Sequence, residues 1–366
     1  MNTTLKLIAA LMGISALGIQ QMACAQTNEQ PNPLRFGGYA EVYYTQDFNR
    51  PENHTRPGFL YSHNRSDEVN LNLAYLKASY SADRVRSNLA VAAGTYMSAN
   101  YAAENDVMKN VYEANIGVRL SEKHDLWIDA GIMPSHLGFE SAAGKDNWAL
   151  TRSLFAENSP YFETGAKITY TTPDARWMMS ALVLNGWQRI RRVDGNNTVS
   201  FGHQLTFKPT ERLTLNSGSF IGSDQADSVR QMRYFHNLYA IYKVSDRFGL
   251  TAGFDIGAQQ EKKGSEDYDV WYTPVVLARY AASERVSLTA RGEYYQDKKG
   301  VIIASDTPHG FQTFGYSVNI DYHILSNVIW RTELRNLNSK DALFTDRNQR
   351  VTDNSFTATT ALAISF

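Results

Sequence analysis

Residues 356–366 read FTATTALAISF, and this run decides the fold. In an extended chain Phe356, Ala358, Thr360, Leu362, Ile364 and Phe366 share one face, and small or hydroxylated residues occupy the other. Chain ends usually fray into polar residues, yet this run stops on an aromatic ring. A strand paired on both edges has no reason to fray. The natural partner is the first alternating run, LRFGGYAEVYYTQDF at 34–48, because pairing first to last abolishes both sheet edges.

The interior of the sequence repeats the pattern. In FQTFGYSVNIDYHI (311–324) Phe314, Tyr316, Val318, Ile320 and Tyr322 alternate with Thr313, Gly315, Ser317, Asn319 and Asp321. FGLTAGFDIGA (248–258) and RVSLTARGEYY (285–295) separate in the same way. Tight polar turns join the runs in pairs: SADR (81–84), SEKHD (121–125), TPDAR (172–176), KPTER (208–212), VSDR (244–247), ASER (282–285) and ILSN (324–327). Longer Gly/Asn/Asp-rich gaps lie between them, at 49–66, 99–107, 134–160, 189–197, 225–231, 261–269, 298–310 and 340–354. Seven short connections alternating with eight long ones require sixteen strands, and that asymmetry is typical of outer-membrane barrels.

Two rivals share some of these features. A propeller also repeats at about forty residues, but each blade needs four short strands. Here each period holds two long runs, which suit the roughly 9–11 residues of a tilted membrane strand. A soluble sandwich alternates too, with its polar face outside. The polar sets here are rich in Gly, Ser, Thr and charges of both signs, as a wet interior would be, and aromatics sit near the ends of the apolar sets. The fold expected is therefore all-β: a closed antiparallel transmembrane barrel over 34–366. Two segments fit poorly: WMMSALVLNGW (177–187) is apolar on both faces, and LNLAYLKASY (71–80) puts Lys77 in the apolar set. Lys77 would either snorkel to the interface or mark a register slip.

The amino terminus supports export. Lys6, the apolar run Leu7–Ile19 and Ala23-Cys24-Ala25 form a signal-peptide pattern over 1–25, followed by a short segment at 26–33. The apolar run is too short for a spanning helix, which needs roughly 20 residues. The alternative is a lipoprotein signal ending at Cys24, against which Gln21 stands where an apolar residue is expected. Cleavage after Ala25 would remove the only cysteine. With 36 basic and 37 acidic residues there is no footprint for nucleic acid.

The last strand ending in Phe366 resembles the signal by which bacterial outer-membrane proteins are recognised by their insertion machinery. The whole chain from 34 onward resembles a sixteen-stranded porin, and FGGYAEVYY (36–44) is similar to the opening of the OmpL-like, β-barrel porin-2 group. The resemblance implies a bacterial outer-membrane location, contact with lipids and lipopolysaccharide, passage of small hydrophilic solutes, and the trimeric assembly many porins show. It also implies that the longest gap, 134–160, folds inward as a constriction loop; the alternative is an ordinary exposed loop. Glu140, Lys145, Asp146 and Glu157 would then stand near the eyelet, with Arg152 in the same loop. Asp146 or Asn147 could cap a short helix through WALTRSLF, packing Trp148 and Phe155 on the wall.

A barrel of sixteen strands is too wide for side chains to fill. Alternation turns Arg86, Arg119, Arg291, Arg331 and Arg335 inward with Glu41, Glu113, Asp129, Glu163, Glu293 and Glu333. These charges either filter solutes or are simply solvated and paired. Any bias would come from VIWRTELRN (328–336) and its neighbours, a mildly cationic wall. RIRR (189–192) is a basic rim segment open to lipopolysaccharide, solute or water alone.

Enzyme readings find little purchase. His54, His63, His124, His136, His203, His236, His309 and His323 show no metal-ligand spacing, and His203 and His323 fall inside strands as structural residues. NSGSF around Ser217 lacks the nucleophile-elbow pattern. No catalytic residue, cofactor or metal is expected. The rival functions are a barrel lipase or protease, and a structural or adhesive barrel whose loops block the lumen.

Overall fold

The computed structural model describes residues 32–366, so the expected signal peptide and most of the segment after it lie outside the described residues. Sixteen strands form one closed sheet. In chain order they are β1 (Leu34–Asp47), β2 (Val69–Ala82), β3 (Val85–Ala93), β4 (Val111–Arg119), β5 (Asp125–Pro134), β6 (Phe162–Thr171), β7 (Trp177–Leu184) and β8 (Ser200–Thr210). The second half comprises β9 (Leu213–Gly222), β10 (Arg233–Lys243), β11 (Phe248–Gln260), β12 (Tyr268–Ala281), β13 (Val286–Asp297), β14 (Phe311–Leu325), β15 (Val328–Ser339) and β16 (Asn354–Ser365). Every strand pairs antiparallel with its sequence neighbours, and β1 closes on β16 from Tyr39↔Ser365 to Asp47↔Thr357. The closure leaves no edge to satisfy, as a backbone in lipid requires.

The faces are inverted relative to a soluble sandwich. On β14 Val318 is 58 % exposed whereas its neighbour Asn319 is 4 % exposed. Leu288, Ile320, Leu362 and Ile364 are likewise exposed on the outer surface, and Thr289, Asp321, Thr359 and Arg331 are buried inside. Aromatic side chains band both ends of the outer wall: Tyr234, Tyr268 and Phe314 toward the long loops, Tyr242, Tyr280, Tyr322 and Trp330 toward the tight turns. Such belts suit the two membrane–water interfaces.

The long connections include L1 (48–68), L2 (94–110), L3 (135–161) and L8 (340–353). L2 opens with the short helix α1 (Thr95–Asn100) and L3 contains α2 (Leu154–Glu157). A two-residue hairpin at 344–345 and 351–352 stiffens L8.

Both poorly patterned strands have a physical explanation. Lys77 faces inward, not toward the interface, and donates to Glu113 at 2.5 Å. Its face carries Leu73, fully buried, while Leu76 and Tyr80 take the outer side. On β7 the inward Leu182 and Leu184 are buried against Leu137 and Phe220. Here the interior is apolar because loop side chains, rather than water, cover it.

Candidate functional site: a lumen divided by an inward loop

L3 leaves β5 and enters the barrel. Leu150, Arg152, Leu154 and Phe155 are completely buried. The loop is held by its backbone. Thr151 N–H donates to Glu333 Oε2 and Leu154 N–H to Glu293 Oε2, each at 2.6 Å, and Leu150 N–H to Asn319 Oδ1 at 3.2 Å. In the other direction Arg291 donates to Thr151 O at 2.6 Å, and Arg331 to Gly144 O at 2.5 Å and Asn147 O at 2.9 Å. Thr289 Oγ1 donates to Trp148 O at 2.9 Å.

The wall charges that make this grip also pair among themselves. Arg335 and Arg291 flank Glu293 at 2.7 and 3.4 Å, Arg291 reaches Glu333 at 2.7 Å, and Arg331 forks onto Asp321 at 2.6 and 3.1 Å. A buried charge is tolerable when paired and fully hydrogen-bonded. Arg291, Arg331, Arg335, Glu293 and Glu333 therefore point inward but lie beneath L3 rather than facing open water; the segment 328–336 is a clamp for the loop, not a bare cationic wall.

On β1, Glu41 is also sealed. It accepts from Tyr39 OH at 2.8 Å and Asn72 at 2.7 Å, and pairs with His63 of L1 at 2.9 Å. Gly144 of L3 presses so closely on Glu41 that an added Cβ would overlap its carboxylate. Next to it, Lys145 and Asp146 pair at 2.9 Å and stay exposed. The loop helix differs from the expected one. Only Leu154–Glu157 is α-helical, capped by Ser153, whose side chain accepts from Ala156 N–H; Asp146 ends a separate 3-10 turn, and 147–152 is irregular. The backbone groups of that stretch bond to the wall instead of to one another. Trp148 lies over Gly249, and Phe155 stacks on Phe139 at 5.3 Å.

Glu140 accepts from the Ser153 hydroxyl and backbone N–H, and burial raises its pKa. Glu157 accepts from Tyr61 and Ser62 N–H of L1 at 3.0 and 3.2 Å, tying L1 to L3. Burial lifts its pKa to about 7 against the pull of Arg152.

The opposite wall carries the remaining charges. Arg86 forks onto Asp129 at 2.7 and 2.5 Å, reaching across β4 where Gly117 leaves room. Any Cβ there would overlap Asp129 Oδ1. Glu113 is bound by Lys77, Arg119 caps His124 O near a tight turn, and Glu163 holds His136 at 2.6 Å. The acids of this group are nearly buried, whereas Arg86 and Lys77 keep 38 % and 31 % of their side chains exposed. Lys167 on β6 is partly exposed on the same wall. Sequence reasoning missed Lys77 and Lys167 as lumen residues; admitting the inward register on β2 and following alternation along β6 would have found both.

Two cavities meet L3 at its end. One of about 370 Å³ opens toward the long loops and is lined by Glu157, Asn158, Ser159, Trp187 and Arg233. The other, about 300 Å³, is lined by Pro160, Tyr161, Phe162, Tyr101 and Tyr112. Residues 157–161 thus contribute to the linings of two separate cavities.

Several histidines find partners outside this path. His203 on β8 lies 3.1 Å from Ser217 Oγ and 2.6 Å from Ser219 Oγ, and Ser217 lies 3.2 Å from His236; all four face the outer wall. Their side-chain hydrogen bonds run among themselves and reach no carboxylate. At the loop rim His309 pairs with Asp341 at 2.9 Å in an exposed contact. Among the described residues no group of three or more His, Cys, Asp or Glu is arranged for a metal.

A closed sixteen-stranded barrel, apolar outside, polar within and narrowed by an inward loop, defines a porin: a passive channel of the bacterial outer membrane. The chain belongs to the β-barrel porin-2, OmpL-like family, whose sequence profile matches residues 33–366. Among solved structures it is similar to an anion-selective porin from Comamonas acidovorans, with TM-score 0.58 and 8 % identity over 91 % of this chain and 99 % of that one. It is similar also to Pseudomonas putida OprB, with TM-score 0.59 and 10 % identity over 92 % and 94 % of the two chains. A trimer form of OmpT from Vibrio cholerae matches with TM-score 0.58 and 10 % identity over 91 % and 99 %. No curated protein matches the sequence.

Proposed function

We propose that this porin passes small hydrophilic solutes with a mild preference for anions, sieved where residues 157–161 of L3 narrow the lumen. The observation that carries the reading is the asymmetry of exposure on the wall opposite the loop. Lys77 and Arg86 reach water while their partners Glu113 and Asp129 are nearly buried, and Lys167 adds a third partly exposed cation. Fixed charge along a pore biases which ions enter. Lys145 and Asp146, exposed together, cancel locally.

Transport without bond making or breaking is the whole of the proposed activity. Its support is the family and the self-contained hydrogen bonding of the His203–Ser217–His236 cluster. Three copies are proposed to associate, as in the trimer form of Vibrio cholerae OmpT, and Phe366 is proposed to present the strand that the insertion machinery reads. The test is a planar-bilayer recording in a salt gradient. Step conductance with a reversal potential favouring chloride supports the reading, and a silent bilayer or a cation-selective potential overturns it. Deleting 140–155 should raise the step; an unchanged step removes the constricting role of L3. Sedimentation in detergent decides the trimer.

A further inference from the structure

Arg189 opens the basic segment RIRR in the connection after β7, and its neighbours hold that stretch in place. Trp187 N–H donates to Asp224 Oδ1 at 2.9 Å, and Ile190 N–H to Glu104 at 2.8 Å. Gln188 donates to Asn100 O at 3.2 Å and accepts from Tyr161 N–H at 2.7 Å. Residues 187–190 are thus tied to L2, to L3 and to the connection after β9. Trp187 and Arg189 line the cavity of about 370 Å³ at the long-loop end, with Tyr61 of L1 and with Val301 and Ile302 from the connection after β13.

The hydrogen-bond inventory of this lining is lopsided. The guanidinium of Arg189, the hydroxyl of Tyr61 and the indole N–H of Trp187 have no hydrogen-bond partner among the described residues. All three residues are half-buried, and none of these atoms is sealed from solvent. The acceptors, by contrast, are engaged. Glu157 accepts from the N–H groups of Tyr61 and Ser62. Asp224 accepts from Trp187 N–H and has Arg233 at 3.8 Å. Arg233 is itself held, forking onto Gln259 Oε1 at 2.9 and 2.7 Å with its guanidinium 5.1 Å from the Trp187 ring centre. Arg189 also acts on Asp224 but forms no ion pair with it. Two guanidiniums share one carboxylate, and Arg189 carries the surplus charge.

Spare donors, an uncommitted cation and an apolar wall complement a molecule that brings acceptors, a negative charge and an apolar body. A bare anion would leave Val301, Ile302 and the indole wetted. A neutral ring would leave Arg189 unanswered. The flat faces of Trp187 and Tyr61 suit a flat ring, and a guanidinium suits a carboxylate.

We propose that this cavity binds small aromatic carboxylates of the benzoate class, the carboxylate taken by Arg189 and the Tyr61 hydroxyl and the ring laid against Trp187, Val301 and Ile302. The site names a solute class for the anion-preferring channel, and onward passage rests on that reading. Binding at the mouth does not, so binding and conductance are measured separately.

The experiment is calorimetric titration of the refolded full-length barrel in detergent with benzoate, benzamide and acetate. Benzoate should bind, and benzamide and acetate should each bind roughly tenfold more weakly or not at all. Arg189→Gln removes the cation and should weaken benzoate by roughly tenfold. Ile302→Glu, at a half-buried loop position, sets a carboxylate in the apolar wall and should weaken benzoate by roughly the same factor. Equal binding of benzoate and benzamide, equal binding of benzoate and acetate, or unchanged benzoate affinity in either variant overturns the site. Benzoate binding by a barrel without chloride preference in bilayers would overturn the anion reading and leave the site standing. Chloride preference without benzoate binding would do the reverse.

Discussion

The backbones of Gly38 and Phe366 exchange two hydrogen bonds, Gly38 N–H to Phe366 O at 2.9 Å and Phe366 N–H to Gly38 O at 3.1 Å. The terminal ring lies directly on Gly38, where an added Cβ would overlap ring atom Cζ. The last rung of the closure therefore depends on a missing side chain.

Gly38→Val should force the ring aside and slow barrel closure. Phe366→Ala should also slow folding, through loss of the outer aromatic, but the double variant should be no worse than the poorer single one. Folding into lipid vesicles, followed by the mobility shift between folded and heat-unfolded barrel on gels, checks this. Additive defects would show that the ring and the glycine act independently.

Glu333→Ala removes the acceptor of Thr151 N–H and one partner of Arg291. Breaking such a buried pair costs about 3–5 kcal/mol, so L3 should detach from the wall before the barrel unfolds. Single-channel records should show a larger and noisier open level. A conductance trace matching the parent would mean that the remaining contacts hold the loop alone.

Arg86→Glu reverses the most exposed of the paired basic residues on the free wall and repels Asp129. The reversal potential should move toward cation preference, with little change in step size. Gly117→Val should give a weaker shift in the same direction, because the fork over β4 can no longer close.

The L1–L3 contact should respond to pH through Glu157, whose pKa burial raises from 4.5 to about 7. A raised carboxyl pKa means that ionisation is penalised in the folded contact. Its stabilising contribution is complete below pH 4.5 and is lost as pH climbs through about 7. Protection factors at the Tyr61 and Ser62 amides, taken relative to the intrinsic base-catalysed exchange rate, should fall across that window, and Glu157→Gln should abolish the fall. Protection factors that stay constant with pH in the parent protein would dismiss Glu157 as the titrating group.

Strand number, strand order and the faces of most strands were legible in the sequence because lipid outside and water inside impose a strict period of two. The exceptions share a cause. Leu73, Leu182 and Leu184 face a lumen that loops occupy, and no local pattern announces which stretch of wall a distant loop will cover. For the same reason the sequence placed Arg291, Arg331, Arg335, Glu293 and Glu333 on the inner face but held no sign that L3 lies over them. The helix cap failed similarly: Asp146 is a good cap by type, yet tertiary bonds from Arg331 and Glu333 claim the backbone that a longer helix would have used.

Between Gly144 and Leu154, L3 hydrogen-bonds to the wall mainly through main-chain groups: the amides of Leu150, Thr151 and Leu154, and the carbonyls of Gly144, Asn147, Trp148 and Thr151. Attachment is thus separated from identity. Exposed side chains of the loop, such as Lys145 and Asp146, can be exchanged to recharge the aperture while these moorings stay in place, which makes them natural positions for retuning what the barrel admits.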